Sequence, residues 1–198
     1  MSIVVEHEKR RREILEKALD VFMEEGFEDV TFQKIADKCS ITRTTLYIYF
    51  KNKREIFNFS IKQLLQTLEN DIAVIKKEKN MSHREMLIRV MTTIIEHLAI
   101  NRRLLSVVMN YLFYMSKSDY DPDYRVRRRT VRLRHILSTI LIEGIKAGEF
   151  IPSINVKDSN EILYSFLEAA VFRLTVLRRD SVEELKEAMK LSVQSLIR

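Results

Sequence analysis

The chain has one cysteine, two prolines and three glycines in 198 residues, and each scarcity excludes something. A lone Cys39 cannot form an internal disulfide and fits a reducing compartment. With so little proline and glycine to interrupt them, and helix formers dominant, the segments read as all-α. No apolar run approaches the roughly 18 residues that a membrane span requires. The opening "MSIVVEHEKRRR" puts its charges after a very short apolar stretch, the reverse of a signal peptide. A cytoplasmic protein without membrane contact is expected.

Catalytic hardware is also missing from the sequence. His7, His83, His97 and His135 lack metal-ligand spacing, and no cysteine or carboxylate cluster supports them. There is no Gly-rich phosphate loop, nucleophile elbow or Ser/His/Asp order. Neither an enzyme, a metal nor a cofactor is expected. Cys39 reads as a small buried residue at a turn rather than a redox sensor, having no second cysteine to pair with.

What is present is charge and helical periodicity. The formal charge is +6, and its placement says more than its total. Residues 1–30 carry net −4 and residues 31–55 net +4. About nine helices are expected. The first runs from about Glu8 to Glu25, with Ile14, Leu15, Ala18, Leu19 and Phe22 on one stripe and Gly26 as its stop. Thr31 caps a short second helix, Thr42 a third over about 43–50, and Asn52 a long fourth reaching about Lys79. Helices of about 82–99, 103–114, 123–147, 158–178 and 181–197 follow.

Three helices, the second and third joined by about four residues, have the spacing of a helix-turn-helix. Leu46 and Phe50 should bury against Ile35, Ala36 and Phe22, which turns Arg43, Thr44 and Ile48 outward toward base edges. Arg43 suits a bidentate pair to guanine, and the methyls of Thr44 and Ile48 suit thymine. Thr31, Thr42, Thr45, Tyr47, Tyr49 and Lys53 read as phosphate ligands that set register without reading sequence. The competing reading of 31–57 is an ordinary helical hairpin with half-buried tyrosines.

The stretch "TFQKIADKCSITRTTLYIYFKNKREIF" (31–57) resembles the DNA-binding domain of the tetracycline-repressor (TetR) family of transcriptional regulators. The pattern is a Thr cap, Ile-Ala, a turn, then Thr-Leu-Tyr-x-Tyr-Phe-Lys-x-Lys and an apolar pair. The resemblance implies a DNA-binding domain at 1–52 and an effector-binding and dimerisation domain at 53–198. It also implies a repressor that a small molecule releases from a palindromic operator. The chain departs from the family pattern at Ser40, where the family usually has glycine, so a strained or reshaped turn is expected. A helical small-molecule or protein-binding module that no longer reads DNA is the alternative.

In the family, the last two helices form the dimer interface. Here Leu163, Phe166, Leu167, Ala170, Val171 and Leu174 share an apolar face, and Leu185 and Met189 lie on the next helix. Packing between two copies and burial within one chain both suit such faces. Helices four to seven enclose an effector pocket in the family. Methionines and aromatics at helical spacing here suit either plain core or a deformable pocket. For a largely apolar effector the candidates are His97, Asn110, Tyr111, Tyr114, Tyr164 and Glu168. The Arg-rich stretch 124–135 reads as a solvated face, with Arg125, Arg128, Arg129 and Arg132 on one side, or as a contact to a second anion or to an acidic patch on a partner.

Overall fold

The structure, a computed structural model, describes residues 3–78, 80–117, 121–179 and 181–196, without the side chains of residues 3, 4, 122 and 125. Its helices are α1 (Ile3–Glu25), α2 (Phe32–Lys38), α3 (Arg43–Tyr49), α4 (Lys53–Ile75) and α5 (His83–Ile100), then α6 (Arg102–Met115), α7 (Pro122–Lys146), α8 (Val156–Thr175) and α9 (Val182–Gln194). No β-strand occurs among the described residues. The helix ends expected at Lys79 and Ile197, and the side chain of Arg125, lie outside the described residues.

Caps explain most boundaries. Thr31 Oγ1 accepts from Lys34 N at 3.2 Å, Thr42 Oγ1 from Thr45 N at 3.0 Å, and Asn52 Oδ1 from Glu55 N at 2.9 Å. Ser82 and Glu85 form a reciprocal capping box at the start of α5. Several boundaries differ from expectation, and the fourth, eighth and ninth helices end early, at Ile75, Thr175 and Gln194. The first helix begins upstream of Glu8, at Ile3. The seventh starts on Pro122 behind an Asp121 cap, and the eighth starts early because Asn155 caps it by accepting from the amides of Lys157 and Asp158.

The expected difficulty at Ser40 is real and local. Its φ is +56°, in the left-handed region that favours glycine. The conformation closes a Schellman motif: Ile41 N donates to Ala36 O at 3.1 Å, and Ser40 N to Asp37 O at 2.9 Å. Ile41 then packs against the N-terminal core. The turn keeps its shape and the serine absorbs the strain.

The chain divides into two compact units. The first comprises Met1–Leu64 and Arg103–Tyr120. Ile14, Leu15, Ala18, Phe22, Ile35, Ala36, Cys39, Leu46, Phe50, Ile56 and Phe57 are buried in it, joined by Leu104 and Val107 of α6. Packing therefore does not divide the chain after residue 52, because α6 buries its face with the N-terminal helices. The second unit comprises Leu65–Arg102 and Asp121–Arg198, and in it α5 packs against α7, α8 and α9. Residues of α4 up to Leu64 belong to the first unit and the rest to the second.

This arrangement buries most of the expected dimer face within one chain. Leu163, Leu167, Ala170, Leu174, Leu185 and Met189 are buried inside the second unit's own core. Phe166 is half-buried against it, and Val171 is half-buried as well. The reason is that α5 supplies the apolar surface that a partner copy was expected to bring. Ser40→Gly should raise the stability of the chain by about 1 kcal/mol, because glycine adopts positive φ without steric cost. Urea denaturation should show a higher midpoint at unchanged slope.

Candidate nucleic-acid interface

Helix α3 is seven residues long, and its orientation is set by two of its contacts. Leu46 and the C-capping Phe50 are 0 % and 1 % exposed, sharing one apolar cluster with Ile35, Ala36 and Phe22. Burying that edge leaves Arg43, Thr44, Tyr47 and Ile48 exposed, with Ile48 at 69 %. Arg43 Nη2 donates to Tyr47 Oη at 3.0 Å, so the two side chains lie together along the outer face. The Tyr47 ring is in turn backed by Phe32 of α2, with centroids 4.8 Å apart.

The first helix braces the other end of α3. His7 stacks on Tyr49 at 4.7 Å between centroids, and the Arg11 guanidinium lies over the Phe59 and Phe50 rings at 3.9 and 4.9 Å. These braces escaped sequence reading, because a basic run shows nothing of which aromatic rings it will cover.

The residues expected to meet phosphate separate into groups. Thr31 and Thr42 spend one lone pair each on a cap, which leaves their O–H groups in play. Thr42 and Thr45 share a hydroxyl contact at 2.8 Å. Tyr47 is exposed and Thr45 half-buried, whereas Tyr49 is half-buried against the core. Lys53 is placed differently from expectation. Its ammonium donates to the carbonyls of Phe27 at 2.8 Å and Glu28 at 2.6 Å, tying α4 to the loop after α1. Lys34 and Lys38 are also committed, to Glu25 at 2.6 Å and Glu24 at 3.0 Å. Lys51 and Arg54 are exposed and form no ion pair among the described residues. The positive charge of this surface therefore resides in Arg43, Lys51 and Arg54.

Burial pushes the Cys39 thiol up, against a smaller opposing pull from Lys17 and Arg10. That keeps it a buried apolar filler and not a reactive thiol.

The effector candidates are divided between the two units. Asn110, Tyr111 and Tyr114 belong to the first unit, and His97, Tyr164 and Glu168 to the second. Tyr111 packs edge-on against Phe27 and Phe57, while Asn110 and Tyr114 are exposed. His97 Nε2 meets Asp71 Oδ2 at 2.7 Å, and Glu168 is exposed. A concavity of about 510 Å³ on the second unit is a shallow groove lined by Glu69, Val131, Arg132, His135 and Ile136, and none of the six lines it. The Arg-rich stretch is exposed along Arg127, Arg128, Arg129 and Arg132, and much of its charge is matched. Arg127 and Arg134 both reach Glu161, and Arg132 meets Glu69 at 3.3 Å.

A second apolar set is exposed on and beside α8 and α9. On α8, Ile162, Phe172 and Val176 are exposed, as is Leu191 on α9. The helix is apolar on two sides. Sequence periodicity could have raised the second stripe, but only packing shows which side faces inward.

Residues 14–58 match the family described as bacterial regulatory proteins, tetR family. Among curated proteins, the chain is 26 % identical over 163 residues to the fatty acid metabolism regulator protein of Bacillus subtilis, covering 80 % of each. Over 94 % of this chain and 99 % of the other, it superimposes on FadR from Bacillus subtilis in complex with stearoyl-CoA, with a TM-score of 0.75 at 22 % identity. The ketosteroid transcriptional regulator KstR2 of Mycobacterium tuberculosis gives a TM-score of 0.74 at 19 % identity over 96 % and 95 % of the two chains. These two structures share the fold.

Lys53→Met should cost about 1–2 kcal/mol of stability, since two charge-assisted hydrogen bonds to carbonyls are lost. The salt dependence of DNA binding should stay unchanged, which operator titrations at several salt concentrations would check.

Proposed function

We propose that this chain is a TetR-family transcriptional regulator, a dimeric repressor whose two α3 helices read the half-sites of a palindromic operator, and that a long-chain acyl thioester releases it. The observation that carries the DNA reading is the outward set Arg43, Thr44 and Ile48 on a helix whose opposite edge is fully buried. Arg43 reads a guanine, having given up its bond to Tyr47, and the other two touch thymine methyls. Thr31, Thr42, Thr45, Tyr47 and Tyr49 set register by hydroxyl contacts, and Lys51 and Arg54 take the phosphate charge first assigned to Lys53.

Dimerisation uses the outer stripe of α8 and α9, with Ile162, Phe172, Val176 and Leu191 meeting their copies across a two-fold axis. Two linked half-sites give each weak single-helix contact the benefit of the other. The functional division is then a DNA-binding domain at 1–52 and an effector-binding, dimer-forming domain at 53–198, joined through the continuous α4.

The effector assignment follows from likeness to the fatty acid metabolism regulator of Bacillus subtilis and to the FadR that holds stearoyl-CoA. Its chemistry agrees with a core that includes the deformable Met91 and Met189 among Leu and Ile side chains. Release is a population shift: the ligand binds better to the conformation in which α4 holds the two α3 helices at the wrong separation.

The deciding experiment is selection of bound duplexes from a random pool at near-physiological salt. A two-fold-related motif is the expected product, and an unenriched pool would sink the reading. Arg43→Ala should cost about 1–3 kcal/mol on the matched operator and little on operators altered at that base pair. Equal loss on every duplex would remove its base-reading role. Phe172→Glu with Leu191→Glu should yield a folded monomer by sedimentation, with operator affinity lowered at least about tenfold.

A further inference from the structure

One aromatic contact in the first unit carries polar atoms that the fold leaves unpaired. His7 of α1 is half-buried, its imidazole stacked on the Tyr49 ring of α3 at 4.7 Å between centroids and 27° between planes. Stacking uses the face of the imidazole and leaves both nitrogens at its edge. His7 makes no hydrogen bond or ion pair among the described residues, and its nitrogens are not among the buried atoms left without a partner, so water reaches them. The Tyr49 hydroxyl likewise has no partner among the described residues. Two groups able to hydrogen-bond thus sit on adjoining rings at the C-terminal end of α3. A phenylalanine at position 7 would stack as well and bring no polar atoms into half-burial, so packing alone does not account for the imidazole.

The charges around the ring come from three helices. On α1, Arg11 lies one turn on, over Phe50 and Phe59, and reaches Glu8 at 3.9 Å, while Arg10 is held by Glu13 at 2.7 Å. Glu6, next in the chain to His7, is exposed. Helix α3 brings Tyr49 and, at its other end, Arg43 bonded to Tyr47, but no carboxylate. Lys51, two residues past Tyr49, is exposed. Helix α4 joins the cluster through Phe59; Glu55, one turn before it, accepts from Lys51 N at 2.5 Å, and Lys62 is exposed. None of these carboxylates pairs with His7, so the counter-charge for an imidazolium here is an anion from outside the chain.

We propose that His7 is a further operator contact: its imidazolium holds the same backbone phosphate as the Tyr49 hydroxyl, so that operator affinity rises as pH falls. This rests on the DNA reading above and deepens it. A phosphodiester presents two non-bridging oxygens, one to accept from Tyr49 Oη and the other from a His7 ring N–H. Imidazoles as a class change charge between about pH 5 and pH 8, and the charged ring makes the stronger contact with a phosphate. Binding therefore takes up a proton at each half-site, and the added affinity is present on the acid side and lost as pH rises.

The test is titration of the full chain with the operator recovered by duplex selection, at about pH 5.5 and about pH 8 and at fixed ionic strength. Wild type is compared with His7→Phe, which keeps the stack on Tyr49. Wild type should bind about tenfold more tightly per half-site at the acid pH, the scale of one charge-assisted contact, and His7→Phe should lose this dependence. The wild-type salt dependence should also steepen at the acid pH by about 0.9 per half-site, as one more phosphate is neutralised. Parallel pH profiles for the two proteins overturn the assignment and leave the DNA reading standing. So does an equal loss by His7→Phe at both pH values, which makes His7 a brace and nothing more. If wild type enriches no motif, the DNA reading fails and this inference fails with it. Should His7→Phe not fold, the wild-type salt slope decides alone, and a slope unchanged between the two pH values overturns the assignment.

Discussion

The burial of Leu46 and Phe50 against Ile35, Ala36 and Phe22 is the constraint on which the outward surface of α3 depends. A seven-residue helix has too little intrinsic stability to hold an orientation in water. Its face is chosen by what it buries. Once Leu46 is inside, the helical period forces Arg43, Thr44 and Ile48 outward, and the contacts of His7 and Arg11 from α1 keep the far end from turning. The Schellman turn at Ser40 serves the same geometry. A glycine would fit there without strain, yet the two closing hydrogen bonds and the packing of Ile41 hold a serine at positive φ.

Charge is distributed with similar economy. Much of the basic character near α3 is engaged within the fold, as in Lys34, Lys38 and Lys53, and much of the arginine density on α7 is matched by Glu161 and Glu69. The net charge of +6 therefore overstates the free charge on any one face. Exposed pairs of this kind contribute little stability each, so their main effect is to decide which cations remain available to a polyanion. Polar groups in the second unit follow a different logic. Asn160 and Arg134 sit where desolvation is expensive, and their incomplete pairing marks them out from the ordinary capping and ion-pair residues.

The helical class, the three-helix unit and its caps were legible in the sequence because each has a local cause. Thr31, Thr42, Asn52 and Ser82 cap through atoms no more than three residues away, and the apolar stripe of α1 needs only its own period to be seen. The outward trio on α3 followed from the same periodicity. These are contacts of short range in sequence, so the pattern of residue types determines them.

What only the tertiary structure decided are the choices between chemically equivalent partners. Both sides of α8 are apolar, and α5 took the side carrying Leu163, Leu167 and Leu174, leaving Ile162, Phe172 and Val176 outside. Lys53 could have faced solvent, but the carbonyls of Phe27 and Glu28 lie within reach of it only after folding. Tyr111 and Tyr164, alike in type, came to lie in separate units because α6 and α8 pack in different cores. The physical reason is common to all three. Hydrophobic burial is non-directional, so a sequence states which residues will leave water and the assembled neighbours state against what.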